Sequence, residues 1–403
     1  MRRRWLAGIF AVSAIWAILV AVISVDHVHQ LWGEMAAVGY GLALAVVLLV
    51  RHSRSADLAL GLAFVGGLVV PLGTLAARSL WQPEVWVVAR SGMTLLHQGT
   101  PYADPAVLAG ATDPNAYNPY LPVMALFGVP RALFDLGLLT DPRVWFGVVF
   151  LLVFWLALRN GGARDPWRWT VLVAATPVIA FELAVGGTDV PMVAFLCLGF
   201  AYLWVSKPVL AGLALGIGAS MKATAWPALL VAVVLLAVTE SRRAVWRFAL
   251  AALGVLAVCV GPFLATHPRA LVINTIKFPL VLTSVISAAR SPLPGYLIAH
   301  AWPHTGHTIV VALLAAAGLA VALSLVFKPP RSVPRAVILL AGAMTLMFVL
   351  APSTRVGYFI YPAALAIWVF AVQAGRQAAE EEELGEISVG FLPARVPESP
   401  PAP

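Results

Sequence analysis

Glu84, Asp189, Lys222, Arg290 and Arg355 are the residues of this chain best placed to do chemistry, because each stands in a short polar stretch between long apolar runs. Glu84 opens EVWVVARSGMTLL, which has helical spacing and an apolar face of Val85, Val88, Met93 and Leu96. A partly desolvated carboxylate there can take a proton from a bound hydroxyl as a general base. As an ordinary helix-start acid it would only complement the positive end of the helix dipole. Lys222, in GIGASMKATAWPAL, ends an apolar run with no acidic residue within four positions. Such an ammonium either snorkels or holds a lipid phosphate. Asp189 follows Gly186, Gly187 and Thr188 and precedes Pro191, a pattern that suits the start of a helix as well as a binding site. Glu182 lies inside the apolar run just before it, and an acid within a membrane has a partner or a function. Arg355, in APSTRVGYFIYP with Tyr358 and Tyr361, has the planar fork that clamps phosphate. The competing reading is an interfacial belt of Tyr and Arg. Arg290 stands with Lys277 and His300 in NTIKFPLVLTSVISAARSPLPGYLIAH.

Other chemistries lack their residues. No G-x-x-x-x-G-K-[ST] loop is present for nucleotide phosphates. No H-E-x-x-H or cysteine-rich spacing offers a metal site, and His27 with His29 makes an incomplete one. Cys197 and Cys259 lie in apolar runs and read as packing residues. The excess of 26 Lys+Arg over 18 Asp+Glu is ordinary for a membrane protein and does not point to nucleic acid.

A membrane bundle has to position these residues. The chain is 61% hydrophobic and 11% charged over 403 residues. Continuous apolar runs, not runs alternating at period two, require helices whose backbone is satisfied internally. The runs cover roughly 5–24, 35–50, 57–77, 143–158, 168–185, 188–205, 208–226, 227–239, 246–266, 307–327, 335–351 and 356–373. The expected fold is therefore all-α: a polytopic transmembrane bundle of about 12 spans over residues 1–373. The N-terminal run reads as the first span, because no Ala-x-Ala-like cleavage site follows it. The tail 374–403, with AEEEELGEISVG and a Pro-rich end, reads as disordered and cytoplasmic. No internal repeat is evident.

Positive charge orients the bundle. With MRRR inside, Arg51 and Arg54 are also inside, and the stretch Ser79 to Asn118 faces outward. PYLPVMALFGVPRALF, from Pro119, decides the rest. A full crossing would put Arg159, Arg164 and Arg168 outside. A re-entrant or interfacial course keeps them inside with Lys207, ESRRAVWR and KPPRSVPR, and three prolines suit such a broken helix. The expectation is both termini cytoplasmic, an interfacial helix on the outer face, and a site facing outward.

Taken together, LLHQGTPY preceded by an acid, AYNPYLPVMALFGVP, GGTDVPM, SMKATAWP, KFPLVLTS with SPLPG, and APSTRVGYFIYP resemble glycosyltransferase family 87. These are polytopic C-type enzymes, polyprenol-phosphate-mannose-dependent α-mannosyltransferases of actinobacteria. The resemblance runs from about residue 80 to 362. It implies that the acid in the first outer loop, here Glu84, is the general base of an inverting transfer. Aspartate is the usual residue there, which leaves Asp104 and Asp113 as alternates. It further implies substrate contacts at Lys222, Asp189, Arg290, Arg355, Tyr102, Tyr117 and Tyr358, with Lys222 and Arg355 stabilising phosphate charge. The expected partners are a polyprenyl-phosphate sugar, a glycolipid or glycan acceptor and membrane lipids. No cofactor is expected: the lipid-linked sugar is a substrate, and a divalent metal is not implied.

Two other classes compete. A transporter or lipid flippase would show a repeated pair of broken helices and ionisable residues near the bilayer centre. A non-catalytic membrane subunit of an envelope complex follows if glutamate in place of aspartate disables the site.

Overall fold

The structure, a computed structural model, describes residues 3–285, 289–302 and 304–390. Among the described residues every regular element is helical, and the one β-bridge joins Arg290 to Thr354. Local sequence sets many helix boundaries. Asp26, Asp141 and Ser241 each accept a backbone N–H of the helix that follows, and proline fills the first helical turn repeatedly.

Among the described residues seven helices are long and apolar enough to cross a membrane: Arg3–Ile23, His27–Leu49, Ser55–Ala77, Pro142–Gly161, Gly306–Phe327, Val333–Leu350 and Val356–Glu382. Pro166–Ala175 and Pro177–Val185 form a further pair bent by 65° at Thr176, ahead of Pro177. The remaining expected spans also fall on helices, but Val190–Trp204, Pro208–Ala219 and Trp226–Thr239 are shorter, at 15, 12 and 14 residues. Arg242–Cys259 carries Arg242, Arg243 and Arg247 along its first turns. The expected 12 spans thus correspond to helices of unequal length, of which seven, or eight with the bent pair, meet the requirement of a full crossing.

The core gathers on Val190–Trp204. That helix is buried on nearly all sides against Pro142–Gly161, Pro208–Ala219 and the last long helix, with Phe146, Phe150, Phe154, Phe200 and Trp368 enclosed. Cys197 is buried there and Cys259 is half-buried; both thiols are free.

Two elements outside the long helices frame the approach to Glu84. Pro83–Gln98 is the expected helix after the third run, closed by Gly99 in the left-handed conformation at φ 68°. Its buried face is Val85, Val88, Ser91 and Gly92, whereas Met93 and Leu96 are exposed. The expected apolar face is thus divided between the protein side and the exposed side. Small residues, not the large ones, face the protein because another backbone passes there. That backbone is Pro122–Phe134, a 3₁₀ stretch running into a short helix. A Cβ on Gly92 would lie 2.3 Å from the Gly128 carbonyl carbon, and one on Gly128 2.1 Å from the Val88 oxygen. At about 20–25 Å this segment is too short to span the hydrocarbon.

The last helix runs from Ile360 to Gly390. This corrects the expected tail over 374–390: Ala, Glu and Leu favour helix, and propagation from a formed helix costs little. Arg376 donates to the Gly161 carbonyl, and Arg164 pairs with Glu382. Residues 391–403 of that tail lie outside the described residues.

Candidate active site

Glu84 sits in the first turn of Pro83–Gln98, and the loop before it is held from below. The Gln82 backbone N–H donates to the Val185 carbonyl at 2.9 Å. Arg143, fully buried, donates to the carbonyls of Leu80 and Ala184 at 2.9 and 2.8 Å and to both oxygens of Asp141. This brace fixes two segments together: the approach to Glu84 and the end of Pro177–Val185, whose following turn leads to Asp189. Gly186 makes that turn possible at φ 122°, with Val85 packed where a side chain would stand.

The ion pairs of the site join residues distant in sequence. Glu84 Oε1 pairs with Arg355, while Glu84 Oε2 is buried and has no hydrogen-bond partner. Arg355 also donates to Gln82 Oε1 at 3.4 Å, and the Gln82 amide meets His29. Lys222 Nζ donates to Asp189 Oδ1 at 2.5 Å, and the same oxygen accepts the Tyr361 hydroxyl. Lys222 faces the rings of Tyr120 and Tyr358 at 5.0 and 5.8 Å. The loop carrying Lys222 is tied to the Pro119 segment by Leu121 N–H to the Met221 carbonyl and Val123 N–H to that of Ser220.

These groups act on one another. Burial alone would disfavour the Arg355 charge, but Glu84 foremost, then Tyr358, Tyr120 and Glu182, hold its pKa above the ordinary value. Burial first, and then the Glu84 charge, push the Tyr120 phenol well above its usual range, so it stays a neutral donor. The cluster thus offers one carboxylate oxygen free to take a proton, two cations able to meet a phosphate, and neutral phenols.

The sequence-derived candidates divide. Glu84, Asp189, Lys222, Arg355 and Tyr358 come together. Asp189 does not cap its helix through its side chain; it takes Lys222 instead. Lys222, without an acidic neighbour in the local sequence, finds this one 33 positions away. Three candidates fall elsewhere. Tyr102 is buried and donates to the Tyr120 carbonyl; Tyr117 stacks on Phe278 at 4.5 Å and donates to the Leu108 carbonyl. Both hydroxyls are consumed in holding the loop. Arg290 is exposed, and what reaches the site from it is backbone, through its bridge to Thr354 beside Arg355. The alternates Asp104 and Asp113 are exposed, each accepting the N–H two residues on as a cap.

Gln82, His29, Tyr120, Tyr361 and the Asp141–Arg143 brace were not among the candidates. Only Tyr120 and Tyr361 carried a signal, as tyrosines within polar motifs.

Comparison with known proteins adds a family. The family model of glycosyltransferase family 87 matches residues 118–352. That range holds Glu182, Asp189 and Lys222; Arg355 lies three residues past its end, and Glu84 lies 34 residues before its start. Similar solved structures include ArnT from Cupriavidus metallidurans in the apo state, 18% identical over 83% of this chain and 63% of that chain, with a TM-score of 0.49. The structure of ArnT bound to undecaprenyl phosphate is also similar, 18% identical over 80% of this chain and 60% of that chain, with a TM-score of 0.48. The chain therefore spans less than two thirds of the length of ArnT. No curated protein matches it.

Proposed function

The chain belongs to glycosyltransferase family 87, and we propose that it moves a hexose, mannose, from a polyprenyl-phosphate-linked donor to a cell-envelope lipid or glycan acceptor on the outer face of the membrane. The observation that carries this reading is the state of Glu84: one oxygen is held by Arg355 and the other is buried without a partner, while a second cation, Lys222, stands over the ring of Tyr120, a phenol that the Glu84 charge also reaches. A buried, unsatisfied carboxylate oxygen is costly unless a substrate group completes it.

Glu84 Oε2 takes the proton of the acceptor hydroxyl. The hydroxyl oxygen bonds to the anomeric carbon as the bond from that carbon to the phosphate oxygen breaks. The electron pair leaves on the lipid phosphate. Protonation of Glu84 also cancels the charge that holds Arg355, so the guanidinium is released to the phosphate as negative charge grows there. Lys222 shares that charge. Asp189, relieved of Lys222, keeps the hydrogen bond from Tyr361. One base and direct displacement mean inversion at the anomeric carbon. A donor carried by lipid suits a multi-pass protein whose cations lie at the ends of apolar helices. Family membership favours this enzyme over a transporter or flippase.

Incubating the purified full chain with radiolabelled polyprenyl-phosphate-mannose and a membrane-lipid extract should transfer label to an acceptor and release polyprenyl phosphate in equal amount. Transfer of another hexose instead would correct the sugar. No transfer from any polyprenyl-phosphate hexose would overturn the reading. For the sidedness, a cysteine replacing Gln98 should react with an impermeant thiol reagent in intact cells; labelling only after lysis reverses the orientation.

A further inference from the structure

Glu182 is used by none of the steps above, and its setting is unusual. It lies in the last turn of Pro177–Val185, and its backbone carbonyl accepts the N–H groups of Gly186 and Gly187. Its side chain passes between two glycines on different elements. A Cβ on Gly187 would fall 2.0 Å from Oε2, and one on Gly357 2.2 Å from Oε1. Gly187 leads to Asp189, and Gly357 stands between Arg355 and Tyr358, so the carboxylate lies between the two ion pairs of the site. Among the described residues it makes no side-chain hydrogen bond and no ion pair, and it is half-buried rather than sealed. The other charges are paired: Glu84 with Arg355, Asp189 with Lys222. Glu182 is the third carboxylate against two cations.

A carboxylate placed within an apolar bundle and given no protein donor needs donors from elsewhere. Phosphate cannot supply them, since it is an anion and an acceptor. A sugar can: neighbouring hydroxyls present donors to both oxygens of one carboxylate. We propose that Glu182 binds hydroxyl groups of the donor sugar, while Lys222 and Arg355 hold the phosphate on its other side. The two glycines fit this role, because any side chain at either position would push the carboxylate away. This inference rests on the lipid-phosphate-sugar reading above.

The test compares two ligands, sugar-free polyprenyl phosphate and polyprenyl-phosphate-hexose, binding to the full-length protein. In the wild type the hexose should strengthen binding. Glu182→Gln keeps the shape and removes the charge. It should weaken binding of the sugar-bearing lipid by about ten- to a hundredfold, the range of a hydrogen bond to a charged group, and leave the sugar-free lipid as tightly bound or tighter. Gly357→Ala should give the same selective loss by displacing Oε1. Parallel loss of both ligands in Glu182→Gln would mark a structural residue and overturn the proposal. Unchanged binding of both would overturn it as well. A wild type that binds both lipids equally keeps the phosphate reading and removes this one; a wild type that binds neither removes both.

Discussion

Two acid–arginine pairs in this molecule have opposite characters. Asp141 and Arg143 are 2% and 0% exposed at their side chains, and every guanidinium nitrogen donates, together reaching two carboxylate oxygens and two carbonyls. Glu84 and Arg355 are 21% and 30% exposed, and that pair is left incomplete, with one carboxylate oxygen unpartnered and a long contact to Gln82. The first pair offsets its desolvation by giving each guanidinium nitrogen and both carboxylate oxygens a partner, and so acts as a brace. The second holds its groups in place but leaves valences open for a substrate. Saturation, more than burial, separates the structural pair from the reactive one.

That contrast breaks most sharply at Glu84. Glu84→Gln keeps an oxygen for Arg355 but removes the base, so the transfer rate should fall by about 10²–10⁴-fold with the thermal unfolding midpoint little changed. Near-full activity would show that the open valence is not the catalytic one. Arg143→Met should do the reverse. It strands a buried Asp141 charge, costing roughly 3–5 kcal/mol, and the unfolding midpoint in detergent should drop clearly; a variant as stable as the wild type would remove the brace.

Smaller effects sharpen the picture. Lys222→Met should weaken polyprenyl-phosphate binding by about ten- to a hundredfold, and Lys222→Arg should keep part of it. Because Lys222 also neutralises Asp189, the double change Lys222→Met with Asp189→Asn should recover stability without recovering affinity. If affinity returns too, Lys222 only balanced Asp189. Asp104→Asn should be nearly silent, since asparagine caps about as well as aspartate, within a few tenths of a kcal/mol. Loss of transfer in that variant would move the base away from Glu84.

Much of the frame was legible along the chain. Hydropathy marked every long helix, and the three prolines after Asn118 marked a broken segment too short to span by itself, whereas the break at Pro177 fell inside one expected run. These signals are short-range, arising from periodicity, missing N–H groups and caps that act within one or two turns. The same locality explains one misplacement. The glutamate-rich tail was assigned to disorder by composition, but it continues a helix already formed.

The sequence by itself determined the inventory of this site: which acids and bases exist, and that they lie at the ends of apolar helices. The tertiary structure decided their pairing. Glu84 meets Arg355, Lys222 meets Asp189 across 33 positions, and Tyr361 reaches Asp189 across 172. It also decided which tyrosines are spent on the backbone and which carboxylate is left over. No local pattern encodes such choices. In a bundle of this kind the energy of a charge depends on which partner the packing brings within a few ångströms, and that depends on every helix between them.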